Sequence, residues 1–197
     1  MDLAERWKRI QTKIIGSHRI FNIREDRYLL PRNNRERSFF VLESNDWVNV
    51  IPLTPEGEVV LVRQFRFGTE EVTLEIPGGI VEADQSPFQA AKNELLEETG
   101  YQAKEWEYLG FVFPNPAFLN NRCHTFLAKG VKKVAEIRPE ESEELEVLKI
   151  PFEEIEPLIA GKKISHTLVI SAFHLYGLSP SFEFSTPQTP RLPAIEF

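Results

Sequence analysis

Val59-Val60-Leu61-Val62 sets four apolar residues in a row, and an extended strand sends successive side chains to opposite faces. A strand with one wet face alternates apolar and polar. This one does not, so it reads as a central strand covered on both sides. Other short extended runs surround it. Residues 12–16 and 20–31 come first, and residues 37–43 and 47–53 follow the polar turn at 31–35. Ser44-Asn45-Asp46 and Thr54-Pro55-Glu56-Gly57 supply the turn chemistry between runs. Residues 71–76 form a further strand and residues 87–99 a helix, with strands again near 105–113, 122–129 and 144–150. The last third turns helical, at 153–160 with a break at Pro157 and at 166–176, where Ser165 is placed to cap and Gly177 to terminate. Strands, helix, strands, helices suit an α/β (α+β) architecture with a mixed sheet sandwiched between helices.

Composition narrows the function classes. A chain of 197 residues, 42% hydrophobic and 27% charged, fits one domain with its own core. The net charge of -7 disfavours gripping a nucleic-acid backbone, which needs clustered Lys and Arg. No run approaches the ~18 apolar residues of a membrane span. The charged opening, Met1 to Lys8, does not read as a secretory signal. Cys123 is the only cysteine, so no intrachain disulfide forms, and it reads as a small strand hydrophobe. A reduced, cytoplasmic protein is expected. His18, His124, His166 and His174 show no metal-ligand spacing, and Leu178 to Phe197, with four prolines, reads as an irregular tail.

The helix carries the chemistry. Ser86 suits an N-cap, Pro87 the first helical position, and Gln89 completes a Ser-x-x-Gln capping box; Gly100 suits the C-terminal stop. Phe88, Ala91 and Leu95 define a buried face. Glu94, Glu97 and Glu98, at i, i+3 and i+4, converge on one face in the last two turns. That placement is unfavourable alone. Like charges at this spacing cost about 0.2–0.5 kcal/mol per pair, and acids at a helix C-terminus oppose the macrodipole by ~0.3–1 kcal/mol. A hard divalent cation offsets both. In isolation a Glu-x-x-Glu-Glu face is usually just solvated, but here a strand and Gly78-Gly79 precede it, and glycines let backbone approach an ion or phosphate closely.

The segment Gly79 to Tyr101 resembles the Nudix box, the loop–helix–loop signature of the Nudix hydrolases. Gly79 matches its first glycine, and Glu94-Leu95 with Glu97-Glu98-Thr99-Gly100-Tyr101 matches its ending. The resemblance implies a Nudix-type α/β/α sandwich with an N-terminal antiparallel strand arm. It also implies Mg2+, with Mn2+ as a substitute, held by Glu94, Glu97, Glu98 and the Gly78 carbonyl, with Glu97 also in the catalytic set. Two positions depart: the early glutamate of the box is Gln85 here and its arginine is Asn93. A Gln–Asn hydrogen bond would replace their salt bridge structurally.

The likeness extends over residues 10–176. Val62-Arg63-Gln64-Phe65-Arg66, then Leu74-Glu75-Ile76-Pro77-Gly78-Gly79, and Pro116 fifteen residues past Tyr101, are similar to the ADP-ribose and nucleoside-diphosphate-sugar pyrophosphatases. Phe118 stands where dinucleoside polyphosphate hydrolases usually carry tyrosine. By that resemblance Arg66 binds the diphosphate or terminal sugar, and Glu75 binds substrate or the metal surroundings. Trp47 and Phe113 are candidates to stack on a base. The general base is expected downstream, where Arg138 to Glu146 is rich in acids; Glu141 is the first choice and Glu143 the second. The expected reaction is Mg2+-dependent cleavage of ADP-ribose to AMP and ribose 5-phosphate. The alternative is a weak or silent Nudix domain that binds a nucleotide sugar as sensor or scaffold. The organisation implied is an arm at 1–43 that pairs two copies into a homodimer, a catalytic domain at 44–177 and a tail at 178–197. The partner is a small nucleoside-diphosphate compound, with neither nucleic acid nor membrane.

Overall fold

The computed structural model describes residues 3–138 and 144–182, and in it the central strand forms as its composition requires. In chain order the elements are β1 (Lys8–Ser17), β2 (Asn22–Leu29), β3 (Glu36–Glu43), β4 (Trp47–Leu53), β5 (Glu58–Arg66), β6 (Glu71–Glu75), β7 (Gly78–Ile80), α1 (Pro87–Thr99), β8 (Tyr101–Gln102), β9 (Glu105–Val112), β10 (Cys123–Lys129), β11 (Lys132–Lys133), β12 (Glu146–Pro151), α2 (Ile155–Ala160) and α3 (Thr167–Leu178). Among the described residues, β1–β2–β3 form one antiparallel sheet and seven strands form the main one, ordered β12-β5-β4-β10-β9. The main sheet is mixed, because β10 runs parallel to β4 while its other pairings are antiparallel. Strands β4 and β5 meet at Leu53 and Val59, then part. β7 takes the edge of β4 at Trp47 to Asn49, and β6 takes the edge of β5 at Val62 to Arg66.

Period-2 alternation on the central strands feeds two cores. Val59 and Leu61 of β5, Ile51 of β4 and Leu127 of β10 pack with Val169, Ala172 and Phe173 of α3. Val60, Val48, Val50, Phe126 and Ala128 pack on the other side with Ala90, Ala91 and Leu95 of α1. Burying a Val or Leu side chain stabilises by roughly 1.5–3 kcal/mol, so a strand covered on both faces repays an uninterrupted apolar run. Cys123 is fully buried in β10 and burial pushes its thiol up to about 12, an inert group as its sequence context implied.

Several local expectations are corrected. Phe88 is half exposed, packed edge-on to Trp106, and Ala90 takes the buried place beside Ala91 and Leu95. The Ser86 hydroxyl accepts from the Gln89 N–H at 3.2 Å, but the Gln89 side chain does not close the capping box. Pro157 does not break α2, since it stands in the first turn, where a missing N–H removes no intrahelical bond. His166, not Ser165, caps α3 through Nδ1, which accepts from the Leu168 N–H at 3.2 Å; Gly177 lies inside the helix, which ends at Leu178.

The arm differs in kind. β1 is exposed along almost its whole length, and Asp26 of β2 is the buried charge at its centre. Burial alone would raise that carboxyl, but the Thr12 hydroxyl, Arg24 and Arg9 hold it below its ordinary value. Arg24 also pairs with Glu43 at the end of β3, a residue of the arm that lines the cavity described next.

Candidate active site

The loop leading into α1 fixes the acids by main-chain packing. The Gly78 N–H donates to Glu98 Oε2 at 3.1 Å, and Glu98 is only 3% exposed. A Cβ on Gly79 would collide with the Glu94 carboxylate, and one on Gly78 would collide with the Val48 carbonyl of β4. Gly78 is therefore a steric requirement of the strand, and Gly79 leaves the Glu94 carboxylate its position. Glu94 is half-buried and Glu97 exposed, so the three carboxylates step from the interior to the rim. Gly100, at φ +74°, ends the helix in the left-handed conformation, with its N–H on the Leu96 carbonyl.

The second wall comes from the β5–β6 hairpin. Arg66 grips Glu75 with two parallel bonds, Nε to Oε1 at 2.8 Å and Nη2 to Oε2 at 2.7 Å, and the Thr73 hydroxyl adds a third at 2.6 Å. The register that sets Val62 opposite Glu75 and Gln64 opposite Thr73 puts these side chains on one face of the hairpin. Burial alone pushes the Glu75 carboxyl up. The Arg66 guanidinium and the Thr73 hydroxyl outweigh it, so the group titrates below its ordinary value and stays ionised.

Between these walls lies a cavity of about 1160 Å³. Gly78, Glu94, Glu97, Glu98 and Arg66 all line it. Glu75 lies buried beneath Arg66, and Glu141 and Glu143 fall outside the described residues. Gln85 and Asn93 both line the cavity, yet the amide bonded to Asn93 is that of Gln89, at 2.8 Å and one helical turn away. The replacement bond foreseen for Gln85 is thus made by another residue. Trp47 and Phe113 are not part of the lining; the aromatic walls are Phe21, Phe65 and Phe67. These three come from the β1–β2 turn and the β5–β6 hairpin, and no spacing along the chain signals that those turns meet. Glu144, within the acidic run, also reaches the cavity.

Among the described residues, no three His, Cys, Asp or Glu side chains are grouped closely enough to hold an ion by themselves. The donor set nonetheless fits a hard cation of the magnesium type, which binds through one or two carboxylates and completes its octahedron with water and substrate phosphate. Carboxylates at the rim and interior of a roomy cavity, facing a guanidinium, can hold such an ion and a phosphorylated ligand together.

Comparison with known proteins gives the same direction. The NUDIX domain model matches residues 43–170. The chain is 31% identical over 163 residues to the ADP-ribose pyrophosphatase of Bacillus subtilis (strain 168), covering 80% of this chain and 88% of that protein. It is equally 31% identical over 166 residues to a methanol dehydrogenase activator of Bacillus methanolicus, covering 84% and 89%. The fold superimposes on the crystal structure of an ADP compounds hydrolase with a TM-score of 0.77 at 20% identity, over 87% of this chain and 92% of the other.

Proposed function

The chain belongs to the NUDIX hydrolase family, and from that premise we propose that it cuts the pyrophosphate bond of a nucleoside diphosphate linked to a sugar, ADP-ribose being the first substrate to test and AMP plus ribose 5-phosphate the products. The observation that carries the reading is the placement of Glu94 and Glu98 against Gly79 and Gly78, with Arg66 lining the same cavity.

Hydrolases of this family generally use a divalent metal. The proposed ion is Mg2+, with Mn2+ able to substitute, and its holders are Glu94, Glu97, Glu98 and the Gly78 carbonyl. Such an ion neutralises charge on phosphoryl oxygens and makes a bound water more acidic. The chain's own residues do the rest. Gly78 orients Glu98 through its N–H, and Glu75 fixes the Arg66 guanidinium at the cavity wall, where its positive charge favours a diphosphate. A carboxylate of the acidic run takes a proton from water as its oxygen attacks phosphorus and the bridging phosphorus–oxygen bond breaks. Glu141 and Glu143 are the proposed bases, and Glu144 joins them because it lines the cavity.

A panel of nucleoside-diphosphate sugars with Mg2+, read by chromatography of the products, tests this. Release of a nucleoside monophosphate and a phosphosugar is expected; a wild-type chain that cuts none overturns it. The activator relative and the amides at Gln85 and Asn93 support a second reading, a nucleotide-sugar binder with little turnover. Tight binding without product in the same panel would select it.

We also propose a homodimer built through an arm at residues 1–43, beside a catalytic domain at 44–177. Trp7, Ile10, Ile14, Ile15 and Phe40 are exposed on that arm, an apolar surface suited to a second copy. Light scattering that returns a monomer mass would contradict it. No described helix is long and apolar enough to cross a membrane. The proposed setting is the cytoplasm, on the strength of the lone reduced cysteine and the substrate class.

A further inference from the structure

Arg138 stands where a strap of chain crosses the C-terminal end of α1. β11 pairs with β8, the N–H groups of Val134 and Ala135 both donate to the Gly100 carbonyl at 2.8 and 3.1 Å, and a Cβ on Gly100 would strike the Ala135 carbonyl. The strap ends with the Arg138 N–H donating to the Glu97 carbonyl at 2.7 Å. That carbonyl is one of the last four of the helix, which have no intrahelical donor. The Arg138 backbone is thus fixed beside Glu97 by main-chain bonds, and its side chain lines the same cavity as Glu94, Glu97 and Glu98.

Among the described residues six glutamates line this cavity, namely Glu43, Glu82, Glu94, Glu97, Glu98 and Glu144, against three arginines, Arg19, Arg66 and Arg138. A diphosphate entering such a space meets its own sign of charge. A metal ion offsets part of that, and guanidinium forks must supply more. Arg66 already spends two donors on Glu75. Among the described residues, by contrast, Arg138 is held through its main chain, and a cation at a helix C-terminus is favoured by the macrodipole.

We propose that Arg138 is a second substrate-contacting guanidinium, donating to the diphosphate from the α1 side of the cavity while Arg66 meets it from the β5 side. The proposal rests on the pyrophosphatase reading. It assigns a role to a residue that the sequence marks only as the start of the acidic run.

The test is calorimetric titration of the wild type, Arg138→Gln and Arg138→Lys with α,β-methylene ADP-ribose and Mg2+, whose diphosphate cannot be cut. Arg138→Gln should weaken Kd by about tenfold or more, and Arg138→Lys, which keeps a point charge but loses the fork, should fall between. Millimolar guanidinium ion should restore part of the lost affinity of Arg138→Gln, a rescue that a purely structural role would not show. Unchanged Kd in Arg138→Gln, or a loss that Arg138→Lys and guanidinium leave untouched, overturns the assignment. A wild type that neither binds the analogue nor cuts any nucleoside-diphosphate sugar of the panel overturns the pyrophosphatase reading and this proposal with it. A wild type that turns over while Arg138→Gln binds equally well overturns the Arg138 proposal alone.

Discussion

Glu98 and Glu75 are each 3% exposed and stand on two walls of one site, yet they are held differently. Glu75 lies under a bidentate guanidinium and a hydroxyl, all supplied by its own hairpin. Glu98 takes a neutral main-chain N–H and has Glu94 and Glu97 as helical neighbours. A carboxylate neutralised by a neighbouring arginine is a support. Glu98 instead stands with two other acids on one helix, the donor set proposed for a cation. The β5–β6 wall pairs its charges internally, whereas on the proposed reading the α1 wall would pair its own with a cation.

Removing the acid from each wall should break the comparison unequally. Glu98→Gln keeps the shape and the Gly78 contact but loses the charge. Turnover should fall at least about 10³-fold, ~4 kcal/mol of transition-state stabilisation, with the circular dichroism spectrum unchanged. Gly79→Ala attacks the same wall sterically. Displacing the flexible Glu94 carboxylate should lower kcat/KM by roughly 10²-fold with stability changed by less than about 1 kcal/mol, read from steady-state kinetics and chemical denaturation.

Glu75→Gln sharpens the contrast from the other wall. It should raise KM about tenfold with a smaller change in kcat, because Arg66 loses its orientation before substrate binds. The stability loss should lie near the low end of about 1–3 kcal/mol, since Arg66 is 41% exposed and water screens the pair. The pH dependence carries a sign. The folded carboxyl titrates below its ordinary 4.5, so its stabilisation is complete above that value and disappears as pH falls through the lower one. Melting curves from pH 7 downward should therefore show a loss of stability below pH 4.5 that is larger in the wild type than in Glu75→Gln, where Asp26 still contributes its own. The smallest effect belongs to Gln89→Ala, which breaks the Gln89–Asn93 bond on the helix surface. It should lower Tm by roughly 1–2 °C and leave KM unchanged.

What the sequence revealed follows the same divide. The acidic wall is local: a cap, a helix and a glycine pair lie in one stretch of chain, and the helix forms over Pro87–Thr99 where the spacing put it. The Arg66–Glu75 pair depends on hairpin register, which sets residues nine apart on one face and cannot be read from either residue alone. Phe21, Phe65 and Phe67 depend on tertiary placement of two turns, and Arg138 on a strap that folds back to the helix end. At the termini of α3 a side-chain cap competed with its neighbour. His166 won over Ser165 because its imidazole reaches the Leu168 N–H.

The central claim is that the α1 acids await a divalent cation with which the chain cuts a diphosphate. The most direct measurement is AMP formed from ADP-ribose by the wild type across a Mg2+ titration that begins in EDTA. The account predicts no AMP in EDTA and a saturable rise with Mg2+, matched one for one by ribose 5-phosphate. Equal rates with and without the metal would contradict it.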